Sequence, residues 1–321
     1  MTLEKTKYRT LCDIEPTIPL FSRAWWLDAA AGKDNWDVVL IENGGSIMAA
    51  LPYVIKRRFG FTLLTHPPLT QTLGPWLRPT ATTHTKQLSR QKELMTALIA
   101  RLPPFDYFDQ RWHYSNTNWL PFYWAGFKQT TRYTYVLEDL SELDKVFAGF
   151  SPDKRRDIKK AEKSLTVKFD ISAEEFYGNH KMTLAQRNSK ITYSFDVFKR
   201  MYDSGYQRDS VRTFAAYDAQ NNLHAAQFIV WDQNSAYGLI STIDHRYRGS
   251  GAMSLLVREA IRHSSKKTKK FDFEGSMIEA VEHSNRQFNA VQIPYFDVFK
   301  FRSKTLAIAK DIRSSLHRIH R

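Results

Sequence analysis

The sequence contains a single cysteine, Cys12, among its 321 residues. One cysteine cannot close an intrachain disulfide or build a cluster of thiolate metal ligands. No run of about 18 apolar residues is present, which argues against a membrane-spanning helix. The residues that follow Met1 also lack the apolar stretch of a secretory signal. Together these absences predict a cytoplasmic protein.

Several catalytic signatures are missing as well. The ten histidines include no His-x-x-x-His or His-Glu-x-x-His pair, so the sequence predicts no metal site. No Gly-x-Ser-x-Gly elbow is present, which argues against a hydrolase of that type. The absence of a Walker loop argues against an NTPase.

Acidic residues are in deficit. The chain has 33 Asp and Glu against 47 Lys and Arg, which gives a formal net charge of +14. A basic surface favours a polyanionic partner, and CoA, RNA and anionic lipid headgroups all qualify. The hydrophobic content of 42% is ordinary for a folded soluble protein, and the length predicts two domains.

An internal repeat supports this division. Residues 38–50 align without gaps on residues 214–226, and each copy has the pattern of a strand, a polar turn and a returning strand. Phe105-Asp-Tyr-Phe108 matches Phe271-Asp-Phe-Glu274 in the same order. The alternative is a chance similarity of β-rich segments. We predict two related halves, 1–145 and 146–321, in an α/β fold of the α+β type, each with a mixed, mainly antiparallel sheet flanked by helices.

The stretch from Arg246 to Ala252 lies between a predicted strand, 236–242, and a predicted helix, 253–263. A glycine turn at a helix start leaves backbone N–H groups for a phosphate or pyrophosphate. The candidate binding residues are two arginines and the four small residues after them: Arg246, Arg248, Gly249, Ser250, Gly251 and Ala252. Gly249 and Gly251 are expected to let the ligand approach the backbone. The alternative is a turn that only begins a surface helix.

The first half differs at the matching place. Its segment Leu77-Arg-Pro-Thr-Ala-Thr-Thr-His-Thr85 has no glycine and contains Pro79. Such a loop cannot form the same open group of amides. The sequence therefore predicts a phosphate-bearing donor in the second half alone.

Two basic helices are predicted. Ser151 is a good N-cap and Pro152 a good first residue for a helix that carries six Lys and Arg residues up to Lys163. Another helix, with Ile308, Ile312, Leu316 and Ile319 at helical spacing, ends the chain. Both are solvated or packed helices in the simplest interpretation. They are alternatively contacts for donor phosphates or for an anionic membrane surface at the inner face.

These features resemble a known family. The pattern Arg-x-x-Gly-x-Gly/Ala resembles the acyl-CoA pyrophosphate loop of GNAT acyltransferases. The ordered segments Ser151–Ala161, Phe271–Ser276 and Asn285–Tyr295 resemble the Fem-type branch, which has tandem GNAT domains. The resemblance implies acyl-CoA, acetyl-CoA first, as donor. The chain departs from the pattern at Asn289, where the family has Gly. It also departs at 285–287, where members that use aminoacyl-tRNA carry a lysine.

Acyl transfer to an amine needs a base, a contact for the carbonyl oxygen and an acid for the leaving thiolate. A strand is predicted at 270–273 and Glu274 lies at its C-terminal end, so alternation would place Asp272 and Glu274 on one face. Two nearby carboxylates would raise one pKa toward that of a base, with Glu274 as the candidate. Tyr295 is the candidate acid. The alternatives are a structural carboxylate and a core tyrosine.

Three functions remain open. The first is an N-acyltransferase for an amine on a cell-envelope sugar, lipid-linked glycan or peptide, with Trp25, Trp26 and Trp76 as sugar-stacking or core residues. The second is an aminoacyl-tRNA-dependent ligase for a peptidoglycan precursor, which the missing lysine disfavours. The third is a non-catalytic module that binds RNA or a membrane. The sequence does not indicate an oligomeric state.

Overall fold

The computed structural model describes residues 2–275 and 277–308. The chain divides into two compact units, one made of Met1–Thr131 with Tyr295–Arg321 and the other of Arg132–Pro294. Most of the second predicted basic helix, including Ile312, Leu316 and Ile319, lies outside the described residues. No helix in the described part of the chain is long and apolar enough to cross a bilayer.

The first unit contains a sheet in the order β1-β2-β3-β5-β12, with β4 paired to β2. Its strands are β1 (Trp36–Asn43), β2 (Ser46–Arg58), β3 (Phe61–Thr65), β4 (Trp76–Leu77), β5 (Tyr107–Arg111) and β12 (Val291–Phe301), which enters from the second unit. Its helices are α1 (Leu3–Ile14), a 3₁₀ turn (Leu20–Ser22), α2 (Ala24–Ala31), α3 (His84–Ala100) and α4 (Leu120–Trp124). Among the described strands named here, the pairs are antiparallel except β3 with β5.

Apolar alternation places helices on both faces of this sheet. Val38 and Leu40 of β1 belong to a buried cluster with α1 and α2. Val39, between them, belongs to a second buried cluster that contains Met95 and Leu98 of α3. Because successive strand residues point to opposite faces, one run of valines and leucines serves both layers.

The second unit contains a sheet in the order β6-β11-β10-β9-β8-β7. Its strands are β6 (Lys128–Leu137), which begins in the first unit, β7 (Thr166–Phe169), β8 (Val211–Tyr217), β9 (Leu223–Trp231), β10 (Ala236–Ile243) and β11 (Phe271–Asp272). Its helices are α5 (Leu143–Ala148), α6 (Pro152–Glu162), α7 (Ala173–Ala185), α8 (Phe195–Tyr206), α9 (Ala252–Ser264) and α10 (Glu279–Arg286). In the described part of this unit, β10 and β11 are the only strands that pair in parallel.

Two helix layers also cover the second sheet. Ile158 of α6 and Leu256 of α9 pack with Ile229 of β9 in one buried cluster. On the opposite face, the ring of Phe228 of β9 lies 5.3 Å from the ring of Phe198 of α8. Helix α6 begins as the sequence predicts, because the Ser151 hydroxyl accepts a hydrogen bond from the Lys154 amide.

The two units repeat one order of elements: an antiparallel hairpin, a third strand, a helix and a strand parallel to the third. The predicted fold class is therefore confirmed. The compact units do not follow the predicted halves 1–145 and 146–321, because β12 returns the chain to the first unit. The assignment of the halves as sequence domains remains a prediction.

Candidate functional site

The candidate donor loop joins β10 to α9, and the predicted order of strand, glycine turn and helix is confirmed. A 3₁₀ turn, His245–Ser250, fills most of the loop, and Gly251 ends it with a left-handed φ of 79°. The first amides of α9 have no acceptor within the helix, as at any helix start. The positive end of the helix dipole adds to their attraction for an anion.

The two glycines of the loop have different roles. A Cβ on Gly249 would meet no atom within 4 Å, so this position is open. A Cβ on Gly251 would lie 2.2 Å from the carbonyl oxygen of Asp157 in α6. The expectation that Gly251 lets a ligand approach the backbone stays a prediction, and the structure shows a separate reason for a glycine at this position. Gly251 is required by its positive φ and by the close packing of the loop on α6.

Cations surround the loop. Arg248 is exposed, and the Lys160 ammonium of α6 donates a hydrogen bond of 2.7 Å to the Gly249 carbonyl. Arg246 is held differently, because its Nη2 lies 2.7 Å from Oδ2 of the buried Asp244. The hydrogen bonds from Arg246 lower the pKa of Asp244 to about 2. Asp244 is therefore ionised at neutral pH, and Arg246 is partly neutralised.

The smaller residues of the loop mainly shape it. The Ser250 hydroxyl accepts a hydrogen bond of 3.3 Å from the amide of Ala252, the first residue of α9. The amide of Arg246 donates to Asp244 at 3.0 Å. Some of the polar groups assigned to a ligand from the sequence thus have partners inside the loop.

Asp272 is the buried acid of the site. It ends β11, where it pairs with Tyr237 of the parallel strand β10. Its carboxylate accepts hydrogen bonds from the Thr134 hydroxyl and, at 2.8 Å, from the Glu274 amide. Burial raises the pKa of Asp272 to about 6, against the lowering effect of these two donors. The sequence predicted a raised pKa from a pair of carboxylates, with Glu274 as the candidate base, whereas the raised pKa of Asp272 is caused mainly by desolvation.

Glu274 does not share a strand face with Asp272, so that part of the prediction is wrong. Strand β11 ends at Asp272, and Glu274 has a left-handed φ of 63°. The next residue, Gly275, has a φ of 46°, and a Cβ there would lie 2.0 Å from the Tyr133 carbonyl oxygen. Glu274 therefore lies on a tight turn, and its amide, rather than strand alternation, connects it to Asp272.

Tyr295 is 9% exposed and is assigned to the first unit. The second unit thus contains the donor loop, Asp272 and Glu274, but it does not include Tyr295. Two residues with direct contacts were missed from the sequence, Thr134 and Asp244, whereas Lys160 belongs to the basic helix that the sequence analysis proposed as a contact for donor phosphates. Asp244 had a local signal, since it precedes the loop at an N-cap position. Thr134 lies on a strand distant in the sequence and had no such signal.

The comparison with protein families matches residues 152–277 to the acetyltransferase (GNAT) domain. The match contains the donor loop, Asp272 and Glu274. A comparison with curated proteins found no match.

Solved structures resemble the whole chain. The structure of FemX has a TM-score of 0.66 and 10% identity, and the similarity covers 92% of this chain and 96% of FemX. The C-terminal domain of a proposed lysylphosphatidylglycerol synthetase from Agrobacterium fabrum has a TM-score of 0.54, 12% identity and coverages of 98% and 96%. L-PGS from Bacillus licheniformis has a TM-score of 0.53 and 10% identity, and the similarity covers 89% of this chain and 91% of L-PGS. Residues 152–277 therefore resemble the acetyltransferase (GNAT) domain, and the chain has a fold similar to that of FemX.

Proposed function

We propose that this chain is an N-acyltransferase that transfers an acyl group from acyl-CoA, acetyl-CoA first, to an amine. The observation that carries the proposal is the arrangement at the start of α9, where Lys160 and Arg248 flank the open position Gly249. A pyrophosphate is a doubly charged ligand that suits amides at a helix start and nearby cations. In this proposal the loop binds the pyrophosphate of CoA.

The sheet supports a route for the rest of the donor. Strands β10 and β11 pair over only two residues each, Ala236 with Phe271 and Tyr237 with Asp272. Beyond Tyr237, β10 has no further pairing with β11 among the described residues, yet it continues to Ile243 beside the loop. An extended donor with amide groups could hydrogen-bond along this edge of β10. Its thioester would then point toward the end of β11.

Glu274 is the proposed base. The amine nitrogen attacks the thioester carbonyl carbon, the new C–N bond forms, the C–S bond breaks, and Glu274 takes the proton that the nitrogen loses. Asp272 acts as a positioning residue, since it accepts the Glu274 amide hydrogen bond and thereby holds the turn. The thiolate leaves with a proton from an acid. Tyr295 in that role stays a prediction from the sequence.

A pocket in the first unit supports a sugar-bearing acceptor. Its volume is about 300 Å³, and its thirteen lining residues carry no formal charge. They include Trp76, four amide side chains and three hydroxyl side chains: Gln87, Gln91, Asn116, Asn118, Thr17, Ser115 and Thr117. Trp76 is 5% exposed and donates its indole N–H to Thr17, so the uncharged amide and hydroxyl groups are what suit a hydroxyl-rich ligand here. Trp26 cannot contribute, because it is fully buried with its indole N–H bonded to Thr70.

The exposed cations of α6 favour a second candidate, the aminoacyl-tRNA-dependent ligase. Arg155, Arg156, Lys159, Lys160 and Lys163 are all exposed along this helix. A phosphate backbone would bind such a surface with strong dependence on salt. The absent lysine at 285–287 disfavours this candidate. The third candidate is the non-catalytic module that binds RNA or a membrane.

Calorimetry with acetyl-CoA and with aminoacyl-tRNA separates the candidates. We expect the double variant Lys160→Ala, Arg248→Ala to bind acetyl-CoA at least about tenfold more weakly than the parent. Lys159→Ala is the matched control, because Lys159 is an exposed neighbour on the same helix with no hydrogen bond to the loop among the described contacts. Unchanged affinity in the folded double variant would refute the donor site. Binding of aminoacyl-tRNA but not acetyl-CoA would favour the ligase, and binding of neither would favour the module.

A further inference from the structure

The hairpin between β2 and β3 projects beyond its neighbours in the first unit. Strand β1 begins at Trp36, which pairs with Val54, so the part of β2 after Val54 has no partner residue in β1. On the other side, the pairing of β3 with β5 begins only at Leu63. Residues 56–61 therefore form a two-stranded ribbon with a free end, which we name the basic hairpin tip.

The tip presents one apolar side chain under strain. Phe59 is 85% exposed. It has a φ of 50°, and Gly60 beside it has a φ of 79°. Two-residue turns with both φ values positive favour Asn-Gly, and a bulky residue at the first position is conformationally costly. A strained, exposed phenylalanine where Asn would be relaxed points to a use for the ring itself.

Three cationic residues precede this ring in the sequence. Lys56, Arg57 and Arg58 are exposed, and the guanidinium of Arg58 lies 5.1 Å from the ring centroid of Phe59. The segment 55–61 contains no acidic residue. Across residues 2–275 and 277–308, neither Arg57 nor Arg58 is in an ion pair. The tip thus combines the exposed ring of Phe59 with arginine side chains that no acidic side chain neutralises among the described residues.

We propose that the basic hairpin tip docks on an anionic lipid bilayer, with Phe59 inserted at the boundary of headgroups and acyl chains. Arginine and lysine side chains beside an inserted aromatic ring would bind the headgroup phosphates. The chain's net charge of +14 favours attraction to such a surface. RNA fits less well, because Arg58 covers one face of the ring and residues 55–61 carry no amide or hydroxyl side chain to bind bases.

The test is co-sedimentation of the full chain with vesicles of phosphatidylcholine alone and with vesicles that also contain phosphatidylglycerol. We expect binding only to the anionic vesicles, and weaker binding as salt rises. Phe59→Asn should lower partitioning by about tenfold and leave the melting temperature unchanged or higher, since Asn relaxes the turn. Arg57→Gln and Arg58→Gln should each lower partitioning by about fivefold.

Trp124→Ala is the matched control. Trp124 of α4 is also an exposed aromatic, at 59%, with Lys92 at 5.3 Å from its ring. The substitution Trp124→Ala should leave vesicle binding unchanged. The proposal fails if the parent binds neither vesicle, if it binds both equally, or if Phe59→Asn binds like the parent. It also fails if Phe59→Asn abolishes binding of single-stranded RNA while vesicle binding is kept.

Discussion

Replacement of Asp272 by Asn should change the pH dependence of stability. The Asp272 side chain is fully buried and accepts hydrogen bonds from the Thr134 hydroxyl and the Glu274 amide. Asparagine has nearly the same shape, and its carbonyl oxygen can accept the same two hydrogen bonds. The substitution therefore removes the ionisation and keeps the contacts.

The magnitude follows from the raised pKa. Burial moves the pKa of Asp272 from 3.8 to about 6 in the folded chain. Below the unfolded pKa both states are protonated and the ionisation has no effect on stability. As pH rises from the unfolded pKa to the folded pKa, the unfolded state loses the proton while the folded state keeps it, and the free energy of unfolding falls. The full loss above that range is about 3 kcal/mol, at about 1.4 kcal/mol for each pKa unit.

Urea denaturation of the parent and Asp272→Asn from about pH 4 to pH 8 measures this difference. We expect the variant to gain about 3 kcal/mol relative to the parent across this range, with most of the gain between the two pKa values. Asp144→Asn, at an exposed position of α5, should leave the pH dependence unchanged. If the free energy of unfolding of the parent and of Asp272→Asn changed with pH in parallel, the reasoning would be refuted, because burial would then not raise the pKa of Asp272.

Two further predictions concern the loop and the proposed base. Gly251→Ala should lower the free energy of unfolding by at least about 2 kcal/mol, since it adds a Cβ at positive φ against α6. Gly249→Ala should change it by less than about 0.5 kcal/mol; equal effects in thermal denaturation would contradict the packing role. Glu274→Gln should slow single-turnover acyl transfer by about 10²-fold or more with donor affinity nearly unchanged. An unaltered rate would remove Glu274 from the mechanism.

The sequence alone was enough to predict the main elements and their repeat. Strand alternation, the Ser151 cap and the glycine turn before α9 are local patterns, and local sterics and hydrogen bonds decide them. The hairpins at 38–50 and 214–226 were recognisable for the same reason. The path of β12 could not be predicted, because its partner strand β5 lies far away in the sequence and the alternation of residues does not indicate which strand will be the partner.

The chemistry of the site was decided by contacts between distant segments. Only the folded chain shows that Gly251 packs on the Asp157 carbonyl and that Lys160 reaches the Gly249 carbonyl. Likewise, the pKa of Asp272 depends on its burial, and Glu274 leaves the strand because β11 ends before it. Residue types and spacing determine which groups are present. Desolvation and close approach, which only tertiary structure supplies, determine their charge and direction.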